Sequence, residues 1–200
     1  MGKVRLSDCI QPLVAKYDFQ VYPSKTENFD LDKGVRLGSG KAEDLVIDSL
    51  VIYGGAICLD TLASTGDSKR ILTDILEWAR VELGLSYETK SIRRWVYIND
   101  VVFRSDIPIL SLQSSSLQKL VAKTSAVTED ILGGLKYVPI QISIGHDPTV
   151  RKYDIAKFVI THRVNTTLSE NIYFSEAPLP THLHLQFLQE FEEDIKNSMR

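Results

Sequence analysis

The sequence has few cysteines and no long apolar run, and both absences limit what the protein is. The only cysteines, Cys9 and Cys58, have no cysteine or histidine partner at metal-ligand spacing, which argues against zinc. Two unrelated cysteines indicate small core residues in a reducing compartment rather than a disulfide. No apolar run approaches the roughly 20 residues that span a bilayer, and the N-terminus lacks the apolar core of a signal peptide. We therefore expect a soluble, cytoplasmic protein with no membrane partner.

An excess of charge of either sign is also missing. The 26 acidic and 23 basic residues give a formal net charge of −3. The basic residues gather only in pairs, Lys69-Arg70, Arg93-Arg94 and Arg151-Lys152. Because a nucleic-acid-binding domain usually has a basic face or stripe, nucleic acid is not indicated as a partner. The 44% of hydrophobic residues is ample for a packed core.

The sequence does contain one pattern twice, a β-hairpin followed by an amphipathic helix. The first copy covers Leu45–Thr61 and then Ser68–Leu83. The second covers Tyr137–Val164, adds a short extended stretch at Ile172–Phe174, and ends in a helix over Thr181–Asn197. Tight hairpins make antiparallel neighbours, and helices bury the apolar face of a sheet. The pattern predicts an α+β fold, with an antiparallel sheet of two or more hairpins packed by about three to four helices in two layers.

Adjacent hairpins that feed one sheet favour a single domain over residues 1–200. Residues 1–44 are predicted as a helix, Ser7–Tyr17, followed by an irregular surface segment with at most one short strand around Val35–Leu37. Pro12 argues against the helix unless it falls in the first turn, where a missing N–H costs little. Residues 45–200 are predicted to form the sheet-and-helix core.

Turn and cap residues refine the first repeat. Gly54-Gly55 predicts a tight hairpin turn that uses the positive φ angles of glycine. Asp67 or Thr65 is expected to cap the following helix, and Gly84 to end it in a left-handed conformation. The helix has a core-facing stripe of apolar residues at helical spacing: Leu72, Ile75, Leu76, Ala79 and Leu83.

The second half contains a further helix and several extended segments. Arg93–Arg104 is either one long strand or a second hairpin with its turn at Asn99-Asp100, and periodicity does not decide between them. Leu117–Leu132 is predicted as a helix that Gly133-Gly134 ends. The strict alternation of Ile140, Ile142 and Ile144 predicts a half-buried strand, which Ile155–Val164 pairs with, and Pro139 indicates an edge or first-residue position. The last helix has one apolar face: Phe187, Leu188, Phe191 and Ile195.

The glycine-rich segment Gly34–Lys41 looks like a phosphate-binding loop but departs from its pattern. The P-loop requires a glycine at the place of Val35, and a serine or threonine at the place of Ala42. We interpret the segment as a turn. The sequence also lacks a nucleophile elbow, a dinucleotide fingerprint and a His-Glu-x-x-His motif, so no cofactor is predicted.

The histidines outside the main candidate loop are interpreted as structural. His162 lies in a predicted strand without an evident carboxylate partner. His182 and His184 are two positions apart, which places them on nearly opposite sides of a helix, and His184 is expected at the edge of the core. The acidic residues Glu190, Glu192, Glu193 and Asp194 interleave with the apolar stripe of the last helix. No metal site is predicted.

The candidate binding site is the connection Gly145–Asp154. It gathers an imidazole, a carboxylate, two cations and an aromatic ring: His146, Asp147, Arg151, Lys152 and Tyr153. Binding groups tend to collect on loops held by a rigid scaffold. The two cations favour an anionic group on the partner, although a solvated hairpin tip has the same composition.

The sequence favours a non-enzymatic binding or assembly protein, for example a subunit of a bacterial or phage complex, with a protein partner or self-association. This hypothesis rests on ordinary charge, a well-patterned core and the lack of a catalytic motif. The alternative is a small hydrolase or nuclease that uses His146, Asp147 or His162. Convergent polar side chains in a deep pocket would favour the enzyme, and a broad exposed apolar surface would favour assembly.

Overall fold

The computed structural model describes residues 6–24, 29–86, 88–112, 114–133, 137–147, 149 and 155–198, apart from the side chains at 89 and 130–132. The chain divides into two compact units, Met1–Trp95 and Val96–Arg200. Each unit has its own antiparallel sheet and apolar core. The α+β class with hairpin-type sheets is confirmed. The expected single sheet is wrong, because the described strands form two. That residues 1–200 fold as one domain stays a prediction.

The first unit is a three-stranded sheet with a helix before it and a helix after it in the sequence. Both strand pairs are antiparallel, in the order β1-β2-β3. Its elements are α1 (Leu6–Tyr17), β1 (Val35–Ala42), β2 (Leu45–Ile52), β3 (Ile57–Thr61) and α2 (Thr65–Glu82), with a 3₁₀ turn at Thr89–Ser91.

The core of the first unit is made by one face of each helix and by alternate strand residues. In α1 the buried residues Ile10, Leu13 and Tyr17 recur at helical spacing. Pro12 lies beyond the first turn, where its missing N–H removes one intrahelical hydrogen bond. Burial of the apolar face stabilises the predicted helix in spite of that loss. The other buried apolar residues of this core are Phe19, Val35, Leu37, Ile47, Leu50, Ile71 and Ile75.

Strand β1 occupies the segment for which the sequence predicts a turn. Val35–Ala42 pairs with β2 along its length. The predicted turn is therefore wrong, and the strand predicted around Val35–Leu37 is present but continues to Ala42. Glycine within a strand often marks a close approach by neighbouring groups. A Cβ on Gly40 would lie 2.5 Å from the Phe19 ring, so the ring packs where a side chain would stand.

The β2–β3 hairpin turns at Gly54-Gly55, as predicted. The Tyr53 N–H donates to the Ala56 carbonyl across the turn at 2.8 Å. Neither glycine has a positive φ, so the predicted left-handed turn is wrong. A left-handed glycine occurs instead at Gly34, with φ +87°, directly before β1.

Helix α2 begins at Thr65, about one turn before the predicted start at Ser68. The Ser64 side chain accepts a hydrogen bond from the Asp67 N–H at 3.2 Å, so the predicted caps, Asp67 and Thr65, are wrong. Gly84 follows the helix with φ +68°, as predicted. The fully buried residues are Ile71 and Ile75, and Leu72 is partly buried against the core. The predicted stripe is therefore right about Leu72 and Ile75 and misses Ile71.

The second unit is a four-stranded antiparallel sheet with two helices. The strand order is β4-β7-β6-β5. Its elements are β4 (Asn99–Arg104), α3 (Ser115–Leu132), β5 (Gln141–Ile144), β6 (Phe158–His162), β7 (Ile172–Ala177) and α4 (Thr181–Ser198), with a 3₁₀ turn at Leu168–Glu170.

Two strands of this sheet differ from the prediction. The segment Arg93–Arg104 becomes a strand only from Asn99, so Asn99-Asp100 begins the strand and is not a hairpin turn. The short stretch Ile172–Phe174 extends to Ala177 and lies inside the sheet, between β4 and β6. Its buried positions include a serine and an alanine, which contribute little to a hydrophobic pattern. Gly133 ends α3 with φ +70°, as predicted, while Gly134 lies outside the described residues.

Helix α4 covers the core of the second unit, but its buried face is not quite the predicted one. His184, Leu188 and Ile195 are buried. Phe187 is 43% exposed and so does not belong to the core, and Phe191 is partly buried against it. The buried apolar residues of this core are Ile109, Leu110, Ile160, Tyr173, Leu188 and Ile195.

Candidate functional site

Strand β5 is an edge of the second sheet, and half of its backbone groups face away from the sheet. The His162 N–H donates to the Ile140 carbonyl at 3.2 Å. Backbone groups of an antiparallel strand point alternately toward and away from the paired strand. The N–H and C=O groups of Gln141 and Ser143 therefore point to the free edge. At Pro139, two residues before Gln141, an N–H would also point to the free edge, so its absence removes no hydrogen bond to β6. The predicted edge position is confirmed.

This edge lacks the charges that usually prevent strands from pairing with other chains. The segment from Tyr137 to Gly145 contains no charged residue. The other edge strands of the two sheets each carry charged residues: Arg36 and Lys41 in β1, Asp60 in β3, and Asp100 and Arg104 in β4. Among the described strands, β5 is thus the edge without this protection.

The apolar side chains of β5 are only partly used by the core. Ile142 packs against the second core. Ile140 and Ile144, on the same face of the strand, are each 62% exposed. The predicted half-buried face is right for Ile142 and wrong for its neighbours, because the core beneath this edge covers only the middle of the strand. In the sequence, the feature that indicates an open edge at β5 is the absence of charge from Tyr137 to Gly145, and not the alternation of isoleucines.

A shallow apolar groove of about 290 Å³ continues from the exposed end of β5. Ile144 stands opposite Phe158 on β6, and both side chains line the groove. The remaining lining residues are Gly145, His146, Ile155, Ala156 and Pro178. The free strand edge and this groove form one apolar surface of the second unit, which we call the β5 surface.

The structure places two of the five predicted binding residues beside the β5 surface. His146 is exposed and lines the groove. Asp147 Oδ1 accepts hydrogen bonds from the Thr149 hydroxyl at 2.7 Å and the Thr149 N–H at 2.8 Å. These bonds, with a smaller effect of His146, hold the pKa of Asp147 below its usual range, so the carboxylate closes a local turn. Arg151, Lys152 and Tyr153 lie outside the described residues.

The histidines of the enzymatic alternative are not brought together. His162 stands opposite Ile140, which precedes His146 by six positions. At about 3.3 Å per residue, the register separates the two histidines by about 20 Å along the hairpin. The His162 ring lies 4.8 Å from the Tyr173 ring, and burial lowers its pKa. Its Nδ1 atom is buried and has no hydrogen-bond partner among the described residues.

A polar cluster that the sequence did not reveal lies inside the second core. His184 Nε2 is 2.8 Å from Ser175 Oγ, and His184 Nδ1 is 3.3 Å from Asn99 Oδ1. These residues come from α4, β7 and β4, and no pattern in the sequence relates them. Burial lowers the pKa of His184, and the negative charge of Asp100 raises it by a smaller amount. The predicted core-edge position of His184 is wrong, because the residue is fully buried.

The hydrogen-bonded series Ser175, His184 and Asn99 resembles a catalytic triad in residue type, but a substrate cannot reach its serine. A catalytic serine presents its oxygen to a substrate carbonyl and gives its proton to the histidine. Here Ser175 is fully buried, and its hydroxyl donates to the Val159 carbonyl at 2.7 Å. The cluster therefore satisfies polar groups within a core, as buried polar atoms require.

A second cleft, of about 390 Å³, lies in the first unit between α1, the β1–β2 turn and α2. Lys16 Nζ is 3.3 Å from the Asp74 carboxylate, and Arg70 is 3.1 Å from Glu43. The Tyr17 hydroxyl donates to Asp74 at 2.7 Å, and burial raises the pKa of Tyr17. Burial alone would raise the pKa of Asp74, but the bonds from Tyr17 and Lys16 lower it. Both cations are neutralised, so the cleft offers a ligand no unbalanced charge.

Two absences hold for the described part of the chain, residues 6–24, 29–86, 88–112, 114–133, 137–147, 149 and 155–198. That part holds no group of three or more histidine, cysteine, aspartate or glutamate residues placed to bind a metal ion. No described helix combines the length and apolar character needed to cross a membrane. Comparison of the chain with protein-family models, curated proteins and solved structures finds no match.

Proposed function

We propose that this chain is a non-enzymatic binding or assembly protein that captures an extended segment of a protein partner on the β5 surface. The observation that carries the proposal is the uncharged free edge of β5, flanked by the exposed Ile140 and Ile144. In β-strand addition, main-chain hydrogen bonds to a free edge give affinity, and pockets for alternate side chains give specificity. Gln141 and Ser143 supply the backbone groups, and the groove supplies a pocket.

The energies indicate that the edge and the groove act together. Burying the exposed parts of Ile140 and Ile144 is worth about 1–2 kcal/mol each, scaled from about 1.5–3 kcal/mol for a whole side chain. A backbone hydrogen bond adds about 0.5–1.5 kcal/mol net, whereas association costs at least about 4 kcal/mol. Contacts with Phe158 and Ile155 in the groove are therefore needed for useful affinity. We expect the partner segment to carry apolar side chains at alternate positions.

The predicted binding loop contributes His146 to this surface. His146 lines the groove, and Arg151 and Lys152 follow it closely in the sequence. As cations, Arg151 and Lys152 favour an anionic group on the partner. We propose this charge preference as the part of the specificity that the loop provides.

The test uses a fluorescein-labelled peptide of alternating threonine and valine as an extended probe, with binding measured by fluorescence anisotropy. Ser143→Pro removes the outward N–H of β5 without breaking the ladder with β6, because that N–H does not take part in it. Ser143→Ala is the matched control, since it keeps the backbone donor. We expect wild type and Ser143→Ala to bind the peptide, and Ser143→Pro to lose binding at least tenfold while remaining folded by circular dichroism.

Equal binding by folded Ser143→Pro and Ser143→Ala would show that the strand edge is not the contact. If wild type is monomeric at the assay concentration and binds neither this peptide nor a variant of it with a terminal aspartate, strand capture would likewise be contradicted. An increase in affinity on adding the aspartate would support the proposed role of the basic loop residues.

A further inference from the structure

The free edge strand has a nearly palindromic sequence. Residues 140 to 144 read Ile-Gln-Ile-Ser-Ile, so the segment is symmetric about Ile142 except for the exchange of a glutamine and a serine. The small or constrained residues Pro139 and Gly145 flank it at equal distances from the centre. A segment of this kind presents the same pattern in both directions, which is what an antiparallel pair related by a two-fold axis requires.

We infer that the occupant of the β5 edge is the same strand of a second copy of this chain, paired antiparallel about a two-fold axis at Ile142. This inference rests on the proposed function, that β5 binds an extended strand, and it names the partner. In this register Ile140 faces Ile144 of the second copy, and the two Ile142 residues face each other. The two four-stranded sheets become one continuous sheet.

The backbone groups agree with this register. Gln141 of one copy stands opposite Ser143 of the other, and both residues have their N–H and C=O groups on the free edge. They form a hydrogen-bonded antiparallel pair on each side of the axis. At each end the Gly145 N–H reaches the Pro139 carbonyl of the other copy, and Pro139 has no N–H that would be left without an acceptor.

The side chains select this register over its neighbours. Moving the axis to Ser143 keeps outward groups opposite outward groups, but it places Ile140 across from His146. Moving it to Gln141 sets Ile144 against the smaller Val138 and Ser143 against Pro139, which has no N–H for the Ser143 carbonyl. Moving the axis to a point between two residues places the outward backbone groups of one copy opposite residues whose groups point to β6, so the hydrogen bonds between the copies are lost. The axis at Ile142 pairs each isoleucine with an isoleucine, and apolar cross-strand pairs stabilise a sheet. The absence of charge from Tyr137 to Gly145 also removes the like-charge repulsion that self-pairing would otherwise create.

Disulfide trapping tests the register directly. Gln141→Cys and Ser143→Cys are each made in a chain that carries Cys9→Ala and Cys58→Ala, two substitutions that lie in the first unit. Opposite residues of a hydrogen-bonded pair have Cα atoms about 5.5 Å apart, within the range that a disulfide bridges. Two copies of the same variant place their cysteines two residues out of step, about 8–9 Å apart, beyond that range.

We expect an equimolar mixture of the two variants to form a covalent dimer in a glutathione redox buffer, with either variant alone cross-linking at least fivefold less. Non-reducing electrophoresis gives the yield, and mass spectrometry identifies the linked peptides. Cross-linking by either variant alone at the level of the mixture would overturn the register, and absence of the mixed dimer would overturn self-pairing.

Light scattering on the chain with its native cysteines gives an independent readout. We expect a mass that rises with concentration toward two copies for wild type and Ser143→Ala, and one copy for Ser143→Pro. A monomeric wild type that binds the alternating peptide would overturn the second copy as occupant and leave strand capture standing. A monomer that binds no peptide would overturn both.

Discussion

Replacing Gly34 with alanine probes the left-handed backbone that leads into β1. Gly34 has φ +87°, a region that L-residues adopt at a cost. An added Cβ would lie 2.5 Å from Tyr53 Cε1 and 2.8 Å from Val51 Cγ1, well inside ordinary contact. The two effects act on the same strand pair, because Val35 pairs with Ile52 at the start of β1.

The expected magnitude is the sum of a backbone and a packing cost. The left-handed conformation costs a non-glycine residue about 1–2 kcal/mol, and overpacking costs about 1–3 kcal/mol. Since the Tyr53 side chain is 38% exposed, it has room on the solvent side to shift, and we take the lower half of the packing range. Gly34→Ala should then lower the free energy of unfolding of the first unit by about 2–4 kcal/mol.

Urea unfolding followed by tryptophan fluorescence measures this loss, because both tryptophans, Trp78 and Trp95, belong to the first unit. The control is Gly55→Ala, where φ is not positive and nothing lies within 4 Å of the added Cβ. We expect that variant to be neutral or up to about 1 kcal/mol more stable. In a Tyr53→Ala background the clash with the ring is removed and only the close contact with Val51 remains, so the cost of Gly34→Ala should fall toward the backbone part of about 1–2 kcal/mol. Equal losses for Gly34→Ala and Gly55→Ala would refute the reasoning.

Further predictions concern the second unit. Leu188→Ala should cost about 2–5 kcal/mol because Leu188 is buried, whereas Phe187→Ala should cost less than about 1 kcal/mol; equal losses in urea unfolding, followed by circular dichroism, would contradict this assignment of the α4 face. Burial lowers the pKa of His184 and of His162 below about 6.5, the value in the unfolded chain. As the pH falls below about 6.5, the unfolded state takes up protons that the folded state does not. The free energy of unfolding should therefore fall by up to about 1.4 kcal/mol per pH unit for each histidine until the folded pKa is reached. An unfolding free energy that stays constant from about pH 7 to pH 5 would show that these rings titrate normally.

The helices were predictable because their signals are local. Apolar residues at helical spacing indicate α1 in the sequence, and the structure buries them. Glycines indicate the ends of α2 and α3, where Gly84 and Gly133 are left-handed. The strands were predicted less well. The strand β1 is rich in glycine, since it lies beneath Phe19, and the end of β7 contains buried small and polar residues, so neither has the hydrophobic pattern of a strand.

The candidate site was predictable only in part. The sequence located the hairpin tip with His146 and the edge position that Pro139 indicates. It did not show that Ile140 and Ile144 remain exposed, since alternation of isoleucines is the same whether or not a core covers them. Arg151, Lys152 and Tyr153 lie outside the described residues, so their part in binding stays a prediction.

By itself, the sequence determined the α+β class, the four described helices and the β2–β3 and β5–β6 hairpins, because residue spacing and turn residues act over a few positions of the chain. Only the tertiary structure decided that the described strands divide into two sheets and that Ile140 and Ile144 on β5 stay exposed. It also brought Asn99, Ser175 and His184 together in one core. Such outcomes depend on which distant segments pair, and a strand's own residues are compatible with several neighbours until packing selects among them.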